Sequence, residues 1–332
     1  MTAIVTRRRA ALFSALLSAT LLAAACQAHD ARQQGQDTER LAGSVRRSRI
    51  VPLRWSSDSA RVVFLRIDQF AAGDVGRVAC DSTGIYERSA DGHLVARSTG
   101  TQFCNSLWHA DAVALSPDGQ HLLYTTSFEP GRLISLELSR MARADVSLDC
   151  SPSGDAIAWS PHDARIVTAL DCAKTAPTLQ VSNPDGGARR VLVTWKNGKA
   201  SAPAWSPDSR RILVVRDSAD SPPEIRVIDT VTGGQHVVAR GIAPAWAPDG
   251  ESIAYVPADT SRRREIHRVA LDGRNDRVLR RLPDHLAGVS EPWQITGPLL
   301  WSPRGDALVV TVNASAWLVP LTDSTAPPIR VP

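Results

Sequence analysis

Short apolar runs alternate with polar turn segments along most of this chain. In one clear case, the apolar residue Trp205 is followed by Ser-Pro-Asp-Ser, two arginines and the apolar run 212–215. The same pattern begins at six positions, which are Trp55, Leu115, Trp159, Trp205, Trp246 and Trp301. The first residue is expected to end a strand, the segment after it to form a turn, and the apolar run to be the next strand.

A second hairpin follows the first in most copies. Its turns are marked by Asp-Gly or Gly-Gly pairs at 91–92, 185–187, 233–234 and 272–273, and such pairs suit tight hairpins. Four strands in each of six copies predict an all-β fold, a six-bladed β-propeller of four-stranded antiparallel blades over residues 48–332. Cys150 begins another match to the turn pattern, but even spacing favours Trp159 as the start of the third copy.

The turns resemble those of a known repeat. Trp246-Ala-Pro-Asp-Gly and its relatives at Trp205 and Leu115, each followed by an apolar strand, resemble the TolB-type, WD-like propeller repeat. The resemblance implies the propeller fold but no particular activity, because one fold serves many functions. TolB carries a further domain before its propeller and has no lipid-attachment cysteine. Its partner, the peptidoglycan-associated lipoprotein, is therefore not expected here.

The N-terminal residues have the pattern of an export signal. Three arginines at 7–9 precede an uncharged, alanine-rich run at 10–25, which is too short for a comfortable membrane span. The end of this run with Cys26 resembles the bacterial lipobox, whose cysteine is acylated and becomes the first residue of the mature chain. We therefore expect a lipoprotein signal peptide over residues 1–25 and lipidation of Cys26. A plain secretory signal is the alternative.

Residues 26–47 are mostly polar and are expected to form a flexible tether between the anchor and the propeller. Gln27 stands where an aspartate would indicate inner-membrane retention, so the resemblance to bacterial lipoproteins favours the outer membrane. The protein is accordingly expected to be exported, periplasmic and membrane-anchored.

Four further cysteines are expected to form two disulfides, because an exported chain meets an oxidising compartment. Two of them lie 12 residues on either side of Gly92, and the other two lie 11 residues on either side of Pro161. Residues equidistant from a hairpin turn face each other across an antiparallel pair. The predicted pairs are Cys80 with Cys104 and Cys150 with Cys172.

The formal net charge of +4 overstates the basic character of the mature chain. Without the three signal arginines, 35 of the 38 basic residues remain against 34 acidic ones, so no nucleic-acid partner is expected. The apolar content of 43% is that of a globular protein with a large core.

Motifs that carry chemistry are missing from the sequence. It contains no G-x-S-x-G nucleophile elbow, no H-E-x-x-H pattern and no P-loop, so no catalytic residue, metal or cofactor is expected. The repeated aspartates Asp118, Asp208 and Asp249 are interpreted as turn caps rather than metal ligands. The repeated tryptophans are interpreted as packing between blades rather than as a sugar-binding platform.

Residues that interrupt a repeat are where a repeat protein usually carries its binding surface. The longest interruptions here are 68–82 and 282–296. The candidate binding-loop residues are Trp108, His109, Glu291 and Trp293.

Together these features predict a monomeric, non-catalytic envelope lipoprotein whose propeller is a scaffold for binding another envelope protein. The alternative is an enzyme or ligand binder that uses the central channel, in the manner of propeller glycan lyases and hydrolases. Such an enzyme needs titratable side chains from several blades to meet in the channel. An apolar or plainly solvated channel favours the scaffold.

Overall fold

The computed structural model describes residues 45–70, 84–89, 92–99, 107, 110–126, 132–148, 150–171, 176–286, 288–289, 293–297, 299–313 and 315–331. Within these ranges the named elements are β-strands and one short 3-10 helix, Thr260–Arg262. No helix there has the length and apolar character that crossing a membrane requires.

The strands form antiparallel sheets in which neighbours in sequence are neighbours in space. Sheet 1 comprises β1 Val45–Trp55, β2 Arg61–Phe70, β3 Gly84–Ser89 and β4 Leu94–Thr99. Sheet 2 comprises β5 Ala110–Leu115, β6 His121–Thr126, β7 Arg132–Glu137 and β8 Ala142–Val146. Sheet 3 comprises β9 Ser151–Trp159, β10 Ile166–Asp171, β11 Thr178–Ser182 and β12 Arg190–Thr194.

Sheet 4 has seven strands and sheet 5 has four. Sheet 4 comprises β13 Lys199–Trp205, β14 Arg211–Ser218, β15 Ser221–Asp229, β16 Gln235–Trp246, β17 Ser252–Pro257, β18 Glu265–Ala270 and β19 Arg277–Arg281. Sheet 5 comprises β20 Leu300–Trp301, β21 Ala307–Val312, β22 Ser315–Pro320 and β23 Ile329–Val331.

Strand β16 divides sheet 4 into two halves. Its residues 235–240 pair with β15, whereas its residues 241–246 pair with β17. The change of partner occurs at Gly241, where a Cβ atom would lie 2.2 Å from the Val256 carbonyl oxygen. Glycine is therefore the residue that allows β16 to approach β17 this closely. Below, the first half of sheet 4 means β13–β15 with 235–240, and the second half means 241–246 with β17–β19.

The core consists of apolar clusters between successive sheets. Leu65 of sheet 1 packs in one cluster with Tyr124 of sheet 2, and similar clusters join sheet 2 to sheet 3 and sheet 3 to sheet 4. A further cluster lies between the two halves of sheet 4, and another joins its second half to sheet 5. The last cluster contains Phe64 of sheet 1 and Val309 of sheet 5. The sheets therefore pack face to face in a closed succession, which is a β-propeller.

Closure of the ring depends on packing and on a few hydrogen bonds. The Trp55 indole N–H donates to the Leu300 carbonyl at 3.1 Å, and the Arg304 backbone N–H donates to Ser59 Oγ at 2.9 Å. Among the strands described, none pairs sheet 5 with sheet 1. The seam between these two sheets is thus made without a shared strand.

The sequence prediction of an all-β propeller with four-stranded antiparallel sheets is confirmed. The third copy begins as predicted, because β9 ends at Trp159 and a turn leads into β10 at Ile166. The signal peptide at 1–25 and residues 26–44 of the predicted tether lie outside the described residues and stay predictions. The predicted tether boundary at 47 is wrong, because residues 45–47 pair with β2 as the start of β1.

Candidate binding channel

The first strand of each sheet and the second half of β16 surround a cavity of about 650 Å³. Its walls are apolar or uncharged over nearly their whole extent. The lining residues are 49–53, 112–115, 157–159, 202–205, 244–246, 296–297, 299–301 and Thr311. Arg49 is the one charged side chain in this described lining, and its Nη1 donates to the Ala110 carbonyl at 2.8 Å.

Backbone bulges shape two parts of this wall. The pairing of β13 shifts between Ser201 and Ala204, and that of β16 shifts between Ile242 and Ala245. At equivalent places in these bulges, Ala202 has φ 48° and Ala243 has φ 55°, a left-handed conformation that is costly for alanine. A proline follows each, at Pro203 and Pro244, and both prolines line the cavity. Proline is tolerated because β13 and the second half of β16 pair on one side only, with β14 and with β17.

Four of the repeated tryptophans bond their sheet or half-sheet to a neighbouring one. The Trp246 indole N–H donates to the Ala204 carbonyl at 3.0 Å, and the Trp159 N–H donates to the Ala114 carbonyl at 3.1 Å. Equivalent bonds are made by Trp55 and by Trp205. These contacts agree with the predicted role in packing between blades, since each of these four indoles bonds to the neighbouring inner strand.

Arginine side chains lie over several of these indoles. Each arginine belongs to the sheet or half-sheet that precedes the tryptophan in the chain. The guanidinium–ring distances are 5.0 Å for Arg165 and Trp205, 5.3 Å for Arg211 and Trp246, and 5.5 Å for Arg268 and Trp301. Such cation–π contacts add to the apolar packing.

The repeated aspartates cap turns. The Ser116 hydroxyl donates to Asp118 Oδ1 at 2.5 Å, and the Gln120 backbone N–H donates to the same oxygen at 2.9 Å. These two hydrogen bonds lower the pKa of Asp118 from its usual value, so it is ionised at neutral pH. Asp249 likewise accepts from the Glu251 backbone N–H at 2.8 Å.

The described residues contain no group of three or more histidine, cysteine or acidic side chains that fits a metal ion.

The structure describes one of the four candidate binding-loop residues, Trp293. Trp108, His109 and Glu291 lie outside the described residues, and their role stays a prediction. Trp293 is 4% exposed and belongs to the core cluster between sheets 4 and 5. Its indole N–H donates to the Asp284 carbonyl at 3.1 Å, and the Arg264 guanidinium lies 5.1 Å from its ring centre. The indole therefore anchors the segment that contains it.

The structure describes one of the five cysteines, Cys150, which lies directly before β9. Cys26, Cys80, Cys104 and Cys172 lie outside the described residues. The lipidation of Cys26 and the two predicted disulfides therefore stay predictions.

The apolar channel wall is the feature that sequence reasoning missed. Its residues come from seven ranges and Thr311, spread over more than 250 positions, and most are alanine, proline or leucine, which carry no functional signal of their own. The repeated strand before each turn was the available clue, because the equivalent strands of all copies meet at the axis of a propeller.

No protein-family model matches this chain, and no curated protein sequence matches it. Solved structures do match. A TolB from Agrobacterium tumefaciens shares 18% identity at a TM-score of 0.55, over 72% of this chain and 83% of that one. TolB from Acinetobacter baumannii shares 17% identity at a TM-score of 0.50, over 68% of this chain. This chain spans only 52% of that TolB.

An oligogalacturonate lyase in complex with manganese also matches, with 12% identity and a TM-score of 0.52 over 82% of this chain and 90% of that one. Such low identities establish a shared architecture and not a shared activity. The repeated turns, the four-stranded sheets and these matches lead to one conclusion. The chain has the β-propeller fold of TolB-like proteins.

Proposed function

We propose that this protein is a non-catalytic binding propeller of the cell envelope. In this proposal it is exported, anchored in the outer membrane by a lipid on Cys26, and binds another envelope protein at the mouth of its channel. The observation that carries the proposal is the apolar lining of the channel, in which Arg49 is the one charged side chain among the described residues. Apolar concave surfaces with few polar groups are typical of binding sites.

The same proposal gives the propeller six blades. The division of β16 at Gly241 supports this count, because each half of sheet 4 then has four strands of its own. The succession of apolar clusters also supports it, since one cluster lies between the two halves as between any two separate sheets.

The alternative function is a channel enzyme or ligand binder of the glycan lyase or hydrolase type. General acid–base catalysis needs a group that changes its protonation near the working pH. The Arg49 guanidinium does not meet this need, because arginine stays protonated at all ordinary pH values. The described lining therefore favours binding over catalysis.

Site-specific photocrosslinking in intact cells tests the proposal. A photoreactive phenylalanine analogue replaces Thr296, which is exposed and lines the channel. We expect this variant to crosslink to a single envelope protein, because a partner seated on the channel mouth contacts position 296. The crosslinked product is identified by mass spectrometry.

The matched control places the same analogue at Val231, which is 77% exposed and lies in an outer turn of sheet 4. We expect no crosslink from this position. Equal crosslinking from both positions, or crosslinking from 231 alone, would contradict a channel-mouth site. Co-purification of a glycan without any crosslinked protein would favour the alternative function.

The predicted pairing of Cys150 with Cys172 has its own test. Ser151 faces Asp171 in the β9–β10 pair, and we expect the same register, if continued by one residue, to set the two cysteines opposite each other. We expect non-reducing peptide mapping to find a Cys150–Cys172 peptide and a Cys80–Cys104 peptide. Replacing Cys150 with serine is expected to cost about 3 kcal/mol of stability, as for other loops of roughly this length. A peptide linking Cys150 to Cys80 or Cys104 would refute the pairing.

A further inference from the structure

A buried histidine lies between two carboxylates in the second half of sheet 4. His267 is 2% exposed, its Nδ1 is 2.9 Å from Asp276 Oδ1, and its Nε2 is 3.0 Å from Glu265 Oε2. The Tyr255 hydroxyl donates to the other Asp276 oxygen at 2.9 Å. The tyrosine and histidine ring centres are 5.6 Å apart. Both sides of the imidazole are thus occupied by acceptors.

Arg262 enters the same network from the 3-10 helix. Its Nη2 lies 2.7 Å from His267 Nε2, and its Nε donates to Glu265 Oε2 at 2.7 Å. Arg281 donates to the second Glu265 oxygen. A guanidinium nitrogen can only donate, so the Arg262 contact requires Nε2 to be an acceptor. In a neutral imidazole with its proton on Nδ1, Nε2 accepts from Arg262 and cannot bond to Glu265 Oε2, so the two contacts of Nε2 belong to different protonation states.

Protonation reverses the role of Nε2. An imidazolium donates from both nitrogens, so Nε2 would donate to Glu265 Oε2 and repel the Arg262 guanidinium. The same oxygen is the acceptor for Arg262 Nε, and the two cations therefore compete for it. We propose that His267 is a proton-operated switch that holds Arg262 and its loop when neutral and releases them when charged.

The surrounding groups keep their charge while the histidine changes. The hydrogen bond with His267 and the bond from Arg262 lower the pKa of Glu265 to about 2, so it stays ionised in mildly acidic solution. Burial, followed by the hydrogen bond to Asp276, raises the pKa of Tyr255, so it stays protonated. The charged groups facing the ring are Glu265 on its own strand, Arg262 on the 3-10 helix and Asp276 before β19, with Arg281 behind Glu265.

Release of Arg262 would change the wall of a neighbouring groove. A groove of about 530 Å³ lies between the two halves of sheet 4, and its wall includes Tyr255, Asp259, Arg262 and Asp276. The Arg262 side chain is 42% exposed, so it can turn toward solvent without unfolding the sheet. Its departure removes the contacts that fix segment 258–264 to β18, and the groove wall changes with pH.

Hydrogen–deuterium exchange of the full chain between about pH 8 and about pH 5 tests the switch, since histidine ordinarily changes charge within this range. Exchange is expressed as protection relative to the unfolded chain, which removes the effect of pH on the intrinsic exchange rate of the amides. We expect the protection of segment 258–264 to fall about tenfold on acidification, because the charged histidine favours release of Arg262. One proton bound over one pH unit changes an opening equilibrium by about tenfold. The variant His267→Gln does not titrate and is expected to lose this response.

Two further variants complete the test. Arg262→Gln removes the switched contact at a half-exposed position and is expected to give the low, acid-like protection already at pH 8. His236→Gln removes an exposed histidine of β16 whose Nε2 contacts the Leu271 carbonyl at 3.0 Å, and it is expected to keep the full response. Unchanged protection of the wild-type segment across the range would overturn the proposal. A response that persists in His267→Gln would also overturn it.

Discussion

Replacing Gly241 with alanine is expected to lower the free energy of unfolding by about 3 kcal/mol, the upper end of the usual cost of overpacking. The added Cβ would lie 2.2 Å from the Val256 carbonyl oxygen and 2.7 Å from a ring carbon of Tyr255. A backbone oxygen cannot rotate away as a side chain can, so β16 must separate from β17. Urea denaturation followed by tryptophan fluorescence measures the loss.

The control for this change is Gly234→Ala. Gly234 is exposed in an outer turn, and the nearest atom to an added Cβ is the end of the Thr232 side chain at 3.2 Å. This variant is expected to differ from the wild type by no more than about 0.5 kcal/mol, as for most surface substitutions. Equal losses in the two variants would mean that the close approach of β16 to β17 does not set the stability of this region.

The second large effect is expected for Trp246→Ala, at about 3–5 kcal/mol, the usual cost of removing a buried tryptophan. Trp246 belongs to the cluster between the two halves of sheet 4, and it bonds to the Ala204 carbonyl across the same boundary. The Arg211 guanidinium also lies over its ring in a cation–π contact. All three contacts are lost together in the alanine variant, and thermal and urea unfolding both measure the result.

A phenylalanine at the same position separates these contributions. Trp246→Phe keeps most of the apolar packing and leaves the Ala204 carbonyl without its donor, which costs about 1–3 kcal/mol. Val231→Ala, at a position that is 77% exposed, is expected to change stability by less than about 0.5 kcal/mol. An alanine variant at position 246 as stable as the Val231 variant would refute the role of the indole in joining the sheets.

Much of the fold was predictable because its signals are local and repeated. A tryptophan before a Ser-Pro-Asp turn, as at Trp205, marks the end of an inner strand without any knowledge of the rest of the chain. The turn chemistry of Asp118 was predictable for the same reason, since its partners lie within two residues. Six such copies then define the architecture.

The sites were not predictable, because they depend on contacts between distant segments. The channel becomes apolar only when residues as far apart as Pro52 and Pro244 meet at the axis. The His267 network requires the pairing of β17 with β18, which puts Tyr255 opposite His267. Trp293 shows the opposite difficulty, since a tryptophan outside the repeat suggested a binding residue and the structure places it in the core.

The seam between sheet 5 and sheet 1 has a mechanical consequence. Strand ladders resist pulling because many hydrogen bonds must shear at once, whereas packed faces separate one contact after another. The described strands on either side of the seam are joined by the second kind of contact, through Phe64, Val309 and a small number of polar bonds. The first and last described strands, β1 and β23, belong to the two sheets that meet there. Tension applied through the ends of the chain would therefore open the ring at the seam before it unravels any sheet.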